Sequence, residues 1–212
     1  IKIIVGDLRI GMRESLVEEA IATAYTKPEA AVRRANMLLG DIGETLRLAA
    51  EDRLEEAEMR LYHPIGFMLA AEVKSSDEAL SYFDDAQVED KYDGVRAQVH
   101  CGEGKVRIFS RTQDDIAESF PELILAFAVV HAPLVLDGEI LAWGTETSGA
   151  APAGSALPFS ALQKRLGRKR VSEKMMREVP VVYVAFDVLY AGDELVINRP
   201  LRERSELLTK II

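Results

Sequence analysis

The chain predicts an α+β fold in which a helical segment precedes a unit built on a mixed or antiparallel sheet. Three observations carry this. From Glu14 to Met59, apolar residues recur at helical spacing between helix start and stop signals. From Ala97 onward the apolar runs are short, rich in β-formers and separated by glycine-bearing turns. Between them, Tyr62 to Ala70 contains Pro64 and Gly66, which break the helical pattern and put the domain boundary at residues 63/64.

At least three short helices are expected in the first part. Leu16, Ala20 and Ile21 share one helical face, Thr26 to Glu29 and Asp41 to Glu44 read as capping boxes, and Gly40 closes the middle helix. After the boundary, Ala97–Cys101 and Lys105–Ser110 form a hairpin about Gly102-Glu103-Gly104. Leu134 to Trp143 is an apolar strand interrupted by Asp137, Gly138 and Glu139; a hairpin turn at Asp137-Gly138 is the alternative. Gly144 to Pro158, without periodicity, reads as a mobile loop. Val181 to Tyr190 is apolar enough to be a central strand, and Arg199 to Lys210 is a turn into an amphipathic helix.

The chemistry concentrates in Glu89-Asp90-Lys91-Tyr92-Asp93-Gly94-Val95-Arg96, which places a lysine among polar neighbours at the end of an apolar strand. A lysine amine attacks phosphorus only when neutral, and an ordinary pKa near ~10.4 leaves it charged at pH 7. A nucleophilic lysine therefore needs desolvation or cationic neighbours. Gly94 permits close backbone approach, Asp93 can support the loop, and Arg96 offers a rigid fork of donors to phosphate or ribose oxygens. Lys-x-Asp-Gly alone is weak, since three fixed residues arise by chance in about one chain in twenty of this length. Glu139 is a second candidate, because a carboxylate within an apolar strand is costly unless it is paired or bound to a metal or hydroxyl. Arg111, in Ser110 to Asp115 at the end of the second hairpin strand, reads by itself as a solvated arginine.

The stretch Val88 to His100 resembles the nucleotidyl-lysine motif of ATP-dependent DNA ligases, and the further segments follow in that family's order: Ser110 to Asp115, Asp137-Gly138-Glu139 and Val181 to Tyr190. Gly6 to Gly11 resembles part of the helical DNA-binding domain of these ligases, and Pro64 to Leu69 the link to the adenylation domain. The resemblance implies a DNA-binding-domain portion at 1–63 and an incomplete adenylation (nucleotidyltransferase) domain at 64–212. It implies that Lys91 attacks ATP to form lysyl-AMP, that Glu89 recognises adenine, and that Arg96 and Arg111 hold ribose or phosphate oxygens. Glu139 bridges ribose and a Mg²⁺ ion, and Phe186 stacks on the base. AMP then passes to a 5′-phosphate in nicked double-stranded DNA, and the strand is sealed. The family's later motifs and its OB-fold domain are not in the sequence, so the expectation is a ligase fragment unable to seal by itself. RNA ligases and capping enzymes share Lys-x-Asp-Gly, but the helical segment and the spacings resemble DNA ligases more. A non-catalytic DNA- or nick-binding fragment is the alternative of another class.

Composition bounds the rest. The 212 residues are 48% hydrophobic, ample for a core, and carry a formal charge of −9. Within Lys164 to Arg177, seven basic residues stand against one acidic, a local phosphate-seeking patch in an acidic chain. Resemblance to the helical insertion of bacterial and archaeal ligases implies DNA contact by Lys164, Arg165, Arg168, Lys169 and Arg170. A single cysteine excludes an internal disulfide, no apolar run reaches membrane-spanning length, and no secretory leader opens the chain. A monomeric cytoplasmic protein without membrane contact is expected.

Overall fold

The computed structural model describes residues 14–144, 154–168 and 170–211, so the segment Gly6 to Gly11, most of the expected mobile loop and Lys169 lie outside the described residues. The chain divides into two compact units, 1–67 and 68–212.

In the first unit, α1 (Glu14–Ala24), α2 (Glu29–Leu39) and α3 (Ile42–Ala50) are followed by a 3₁₀ turn at Leu54–Glu56. Ile21, Val32, Ala35, Leu39, Leu48 and Leu54 form its core, whereas Leu16 faces solvent. Burying Asn36 among these apolar residues is tolerable because its amide is satisfied. Its Nδ2 donates to Glu14 Oε1 and Glu18 Oε1, both at 2.8 Å, while Thr45 Oγ1 donates to Asn36 Oδ1 at 3.4 Å. Asp41 caps α3 by accepting from the amides of Gly43 and Glu44. Thr26 does not cap α2; it sits at positive φ, and Pro28, with extended backbone, occupies the cap position. Gly40 ends α2 in the left-handed region, where a Cβ would meet Pro64 O at 2.3 Å. Pro64 to Phe67 remain with this unit, tied by the Gly66 amide to Met37 O at 2.7 Å.

The second unit is built on one antiparallel sheet in the order β2-β1-β3-β4-β5. Its strands are β1 (Val95–Gly102), β2 (Lys105–Ser110), β3 (Leu134–Ala142), β4 (Val181–Ala191) and β5 (Glu194–Leu195). Glu103 and Gly104, both at positive φ, join β1 to β2, the geometry a two-residue hairpin turn requires. Helices α4 (Ser76–Ser81), α5 (Pro121–Phe127), α6 (Phe159–Gln163), α7 (Glu173–Glu178) and α8 (Leu201–Ile211) complete it, with a 3₁₀ turn at Ala117–Ser119. Strand alternation sends Ala97, Val99 and Cys101 of β1, with Leu134, Leu136 and Ile140 of β3, into a core shared with Phe120, Leu123, Leu162 and Leu208. The residues between them, Arg96, Gln98 and His100 of β1 and Asp137 and Glu139 of β3, lie on the opposite face.

Three features differ from the sequence reading. β3 runs unbroken through Asp137-Gly138, so the hairpin-turn alternative fails. Lys91 precedes β1 instead of ending a strand, since the charged residues from Glu89 to Asp93 leave the strand to begin only after Gly94. β4 is flanked on both sides but is not the middle strand: among the described residues its pairing beyond β3 is with two-residue β5, at Tyr190 and Ala191, and Val181 to Asp187 are only partly buried. Apolar composition reports what a strand's faces meet, not how many strands flank it.

Candidate active site

The site is assembled by the loop that carries Lys91 closing onto β3. Gly94 makes this possible. A Cβ there would lie 2.3 Å from Ile140 O, 2.6 Å from Leu141 Cδ2 and 3.0 Å from Glu139 Cγ, so only glycine lets the loop lie against the strand. The Gly94 amide then donates to Glu139 Oε1 at 3.1 Å. Burial pushes the Glu139 carboxyl above its ordinary range, while the Gly94 N–H and the positive charges of Lys91 and Arg96 pull it back.

Arg96 lies directly across from β3, in register with Glu139, but its fork reaches Asp137. Nε donates to Oδ1 at 3.2 Å and Nη2 to Oδ2 at 2.8 Å, while Nη1 donates to Met68 O at 2.7 Å. Asp137 is buried. Its carboxyl is pushed up by desolvation and by neighbouring Asp187 and held down by Arg96. The Arg96 guanidinium also stands over the Phe186 ring, 5.6 Å from its centroid, a cation–π contact. Behind β3, Gly138 leaves room for Tyr183, whose ring carbon would lie 2.5 Å from a Cβ; the Tyr183 hydroxyl donates to Ala97 O at 3.0 Å.

Arg96, Glu139 and Phe186 are therefore brought to one region, and the loop that carries Lys91 is tied to it through Gly94. Glu89 is exposed on the same loop and accepts from Gln87 Nε2. Arg111 is exposed on the turn after β2, and its side chain makes no hydrogen bond or ion pair among the described residues. Lys164, Arg168 and Arg170 are exposed in the connection between α6 and α7. Arg165 is the correction to the expected DNA-facing set, because it is fully buried. Its Nη1 donates to Glu122 Oε1 and to Val179 O at 2.9 Å, its Nη2 to Glu122 Oε2 at 2.6 Å and Ser119 O at 2.9 Å, and it packs over Phe120. With four hydrogen bonds made inside the protein, this guanidinium is a core element and is not available to a phosphate.

Sequence reasoning misses Asp137, the anchor of Arg96, and the pair Asp187 and Arg204, joined at 2.8 and 2.9 Å. The signal that could have found them is the one that marks Glu139: an acidic residue inside an apolar strand needs a partner.

Magnesium takes one or two carboxylates and completes its octahedron with substrate phosphate and water. Among the described residues no group of three or more His, Cys, Asp or Glu converges as a cage, and Asp137 is committed to Arg96. Glu139, with one oxygen on the Gly94 amide, supplies one hard oxygen donor, which fits an ion carried in with a phosphate substrate. A groove of about 400 Å³ lies elsewhere, between Asp85–Gln87 and α8.

A helical unit followed along the chain by a unit on one antiparallel sheet is the α+β class that the sequence predicts. The chain belongs to the ATP-dependent DNA ligases: the family model described as ATP dependent DNA ligase domain matches residues 67–212. It is 61% identical over 211 residues to a protein of Koribacter versatilis named "Probable DNA ligase", an alignment covering 100% of this chain and 35% of that protein. It is 36% identical over 247 residues to a "Probable DNA ligase" of Opitutus terrae, covering 100% of this chain and 24% of the relative. Among solved structures, the ligase domain from M. tuberculosis LigD is 28% identical with a TM-score of 0.45, over 58% of this chain and 36% of that one. The chain spans about a third of the length of the curated relatives it matches. No helix among the described residues is long and apolar enough to cross a membrane.

Proposed function

We propose that Lys91 is the nucleophile of an ATP-dependent DNA ligase, in a cytoplasmic, monomeric protein acting on nicked duplex DNA. The observation that supports this reading is the hydrogen bond from the Gly94 amide to Glu139, which ties the loop carrying Lys91, three residues earlier, to the strand whose neighbour Arg96 stands over the Phe186 ring. In this reading the Lys91 Nζ lone pair forms a bond to the α-phosphorus of ATP as the bond to pyrophosphate breaks, and the amine loses a proton. Arg96 and Arg111 hold ribose or phosphate oxygens, Glu89 recognises adenine, and Phe186 supports its ring. Glu139 is the residue that would hold Mg²⁺, which when bound neutralises charge developing on the phosphates. The resulting AMP moves to a 5′-phosphate and is displaced by a 3′-hydroxyl. Residues 1–63 would contribute to DNA binding, and exposed Lys164, Arg168 and Arg170 would meet phosphates.

The test is incubation with α-phosphate-labelled ATP and Mg²⁺, using the chain, a version extended to the relatives' length, and Lys91→Ala in each. Label that depends on Lys91 in either form supports the reading. Label that survives Lys91→Ala, or absence of label from both forms, refutes it.

A further inference from the structure

The β3–β4 ladder carries an irregularity at the residue assigned to the base. Gly138 is opposite Ala185 and Asp137 is opposite Asp187, so Phe186 has no partner in the register. This is a β-bulge, which bends a strand and re-aims a side chain. Val188, opposite Leu136, returns to the core. Asp187, opposite Asp137, shares its face, and Phe186 faces Arg96 on that side. Two consecutive residues of β4 thus point toward the site, and the second brings a carboxylate up against Asp137, whose carboxyl it pushes upward.

Like charges opposed in this way would spread the strands unless each were compensated, and Arg96 compensates Asp137 alone. Arg204 on α8 supplies the compensation. Its Nε donates to Asp187 Oδ1 at 2.8 Å and its Nη2 to Oδ2 at 2.9 Å. Nη1 is taken by Arg199 O and by Ile197 O at 3.5 Å. Asp187 Oδ1 also accepts from the Val188 amide at 2.8 Å. With the two side chains 15% and 18% exposed, the pair is a fixed strut, held in a bidentate geometry that only arginine provides.

We infer that Asp187 and Arg204 are positioning residues for the nucleotide base: α8 pins the β4 bulge and so sets how the Phe186 ring is presented to adenine. The inference rests on the reading of Phe186 as the base platform.

Calorimetric titration of the 212-residue chain with ATP and with inorganic tripolyphosphate, both with Mg²⁺, separates base from phosphate recognition. Arg204→Met and the isosteric Asp187→Asn should each weaken ATP binding about tenfold, in the range expected when a base loses its stacking partner, and leave tripolyphosphate unchanged. Arg204→Lys should fall between, and Arg204→Met added to Phe186→Ala should weaken ATP no further than Phe186→Ala alone. Asp187→Asn keeps the acceptor for the Val188 amide and serves where Arg204→Met does not fold. Wild-type ATP affinity in both single variants, or equal loss of ATP and tripolyphosphate, overturns the inference. If Phe186→Ala leaves ATP binding untouched, the base platform itself is refuted and the inference falls with it.

Discussion

Replacing Gly94 by alanine tests the closure on which the site depends. Gly94 is not among the glycines at positive φ, so an alanine there meets no intrinsic backbone strain, and reduced freedom of the unfolded chain would favour it by ~0.4–1 kcal/mol. Space opposes it. The Leu141 methyl at 2.6 Å can rotate away, but Ile140 O at 2.3 Å is backbone of β3 and is held by the pairing of Ile140 with Val95. The loop must lift by about 1 Å to restore an ordinary contact. That carries the Gly94 amide, now 3.1 Å from Glu139 Oε1, beyond hydrogen-bonding range. Losing a hydrogen bond to a charged group costs roughly 1.5–3 kcal/mol and overpacking roughly 1–3 kcal/mol. Because Glu139 is only half-buried, we expect a net destabilisation of about 2–3 kcal/mol. The single tryptophan, Trp143, lies just past β3, so its fluorescence in urea follows the sheet unit. A lower midpoint at unchanged slope is the expected result. An unchanged midpoint would refute the packing argument and remove the physical reason for glycine in this motif.

Other residues give further expectations. Ionisation of Glu139 opposes folding, because burial raises its folded pKa above the unfolded value; the penalty is full above the raised pKa and is gone once pH falls below about 4.3. Glu139→Gln should therefore be more stable than the parent at pH 7, with the difference closing on acidification, as urea midpoints across that range would show. Arg165→Met leaves Glu122 uncompensated and should cost roughly 3–5 kcal/mol, whereas Arg168→Ala, at the surface, should stay within about 0.5 kcal/mol in the same assay. In DNA binding the order reverses: removing each of Lys164, Arg168 and Arg170 that neutralises a phosphate should lower the slope of log affinity against log salt by about 0.9. Equal slopes for the parent and the triple alanine variant would remove this patch from the interface.

Most local signals are legible in the sequence, the Thr26 capping box excepted, and long-range pairings are not. The Glu103-Gly104 turn, the Asp41 cap and the Gly40 stop depend on neighbours within a few residues, and the structure has each of them. Arg165 shows the limit. In a run of basic residues nothing local distinguishes the one that turns inward, and its partner Glu122 lies 43 residues away. Arg96 reads in the sequence as a donor to phosphate or ribose, but its partner Asp137, 41 residues distant, emerges only when β1 and β3 align. The bulge at Phe186 is likewise a property of the ladder, since the apolar run from Val181 to Tyr190 looks the same with or without it. The strut from Asp187 to Arg204 is foreshadowed by cost alone: a carboxylate in so apolar a strand requires a cation, and α8 supplies several.

The central claim is that the Lys91 loop, the β3 acids and Phe186 form one nucleotide site. Titrating the isotopically labelled chain with ATP and Mg²⁺, followed by amide resonances, tests it most directly. The account predicts that the largest shifts fall on Lys91, Gly94, Arg96, Glu139 and Phe186 and saturate together. Shifts confined to the groove beside α8, at Asp85, Leu201 and Ser205, or to the helices of the first unit, would contradict it.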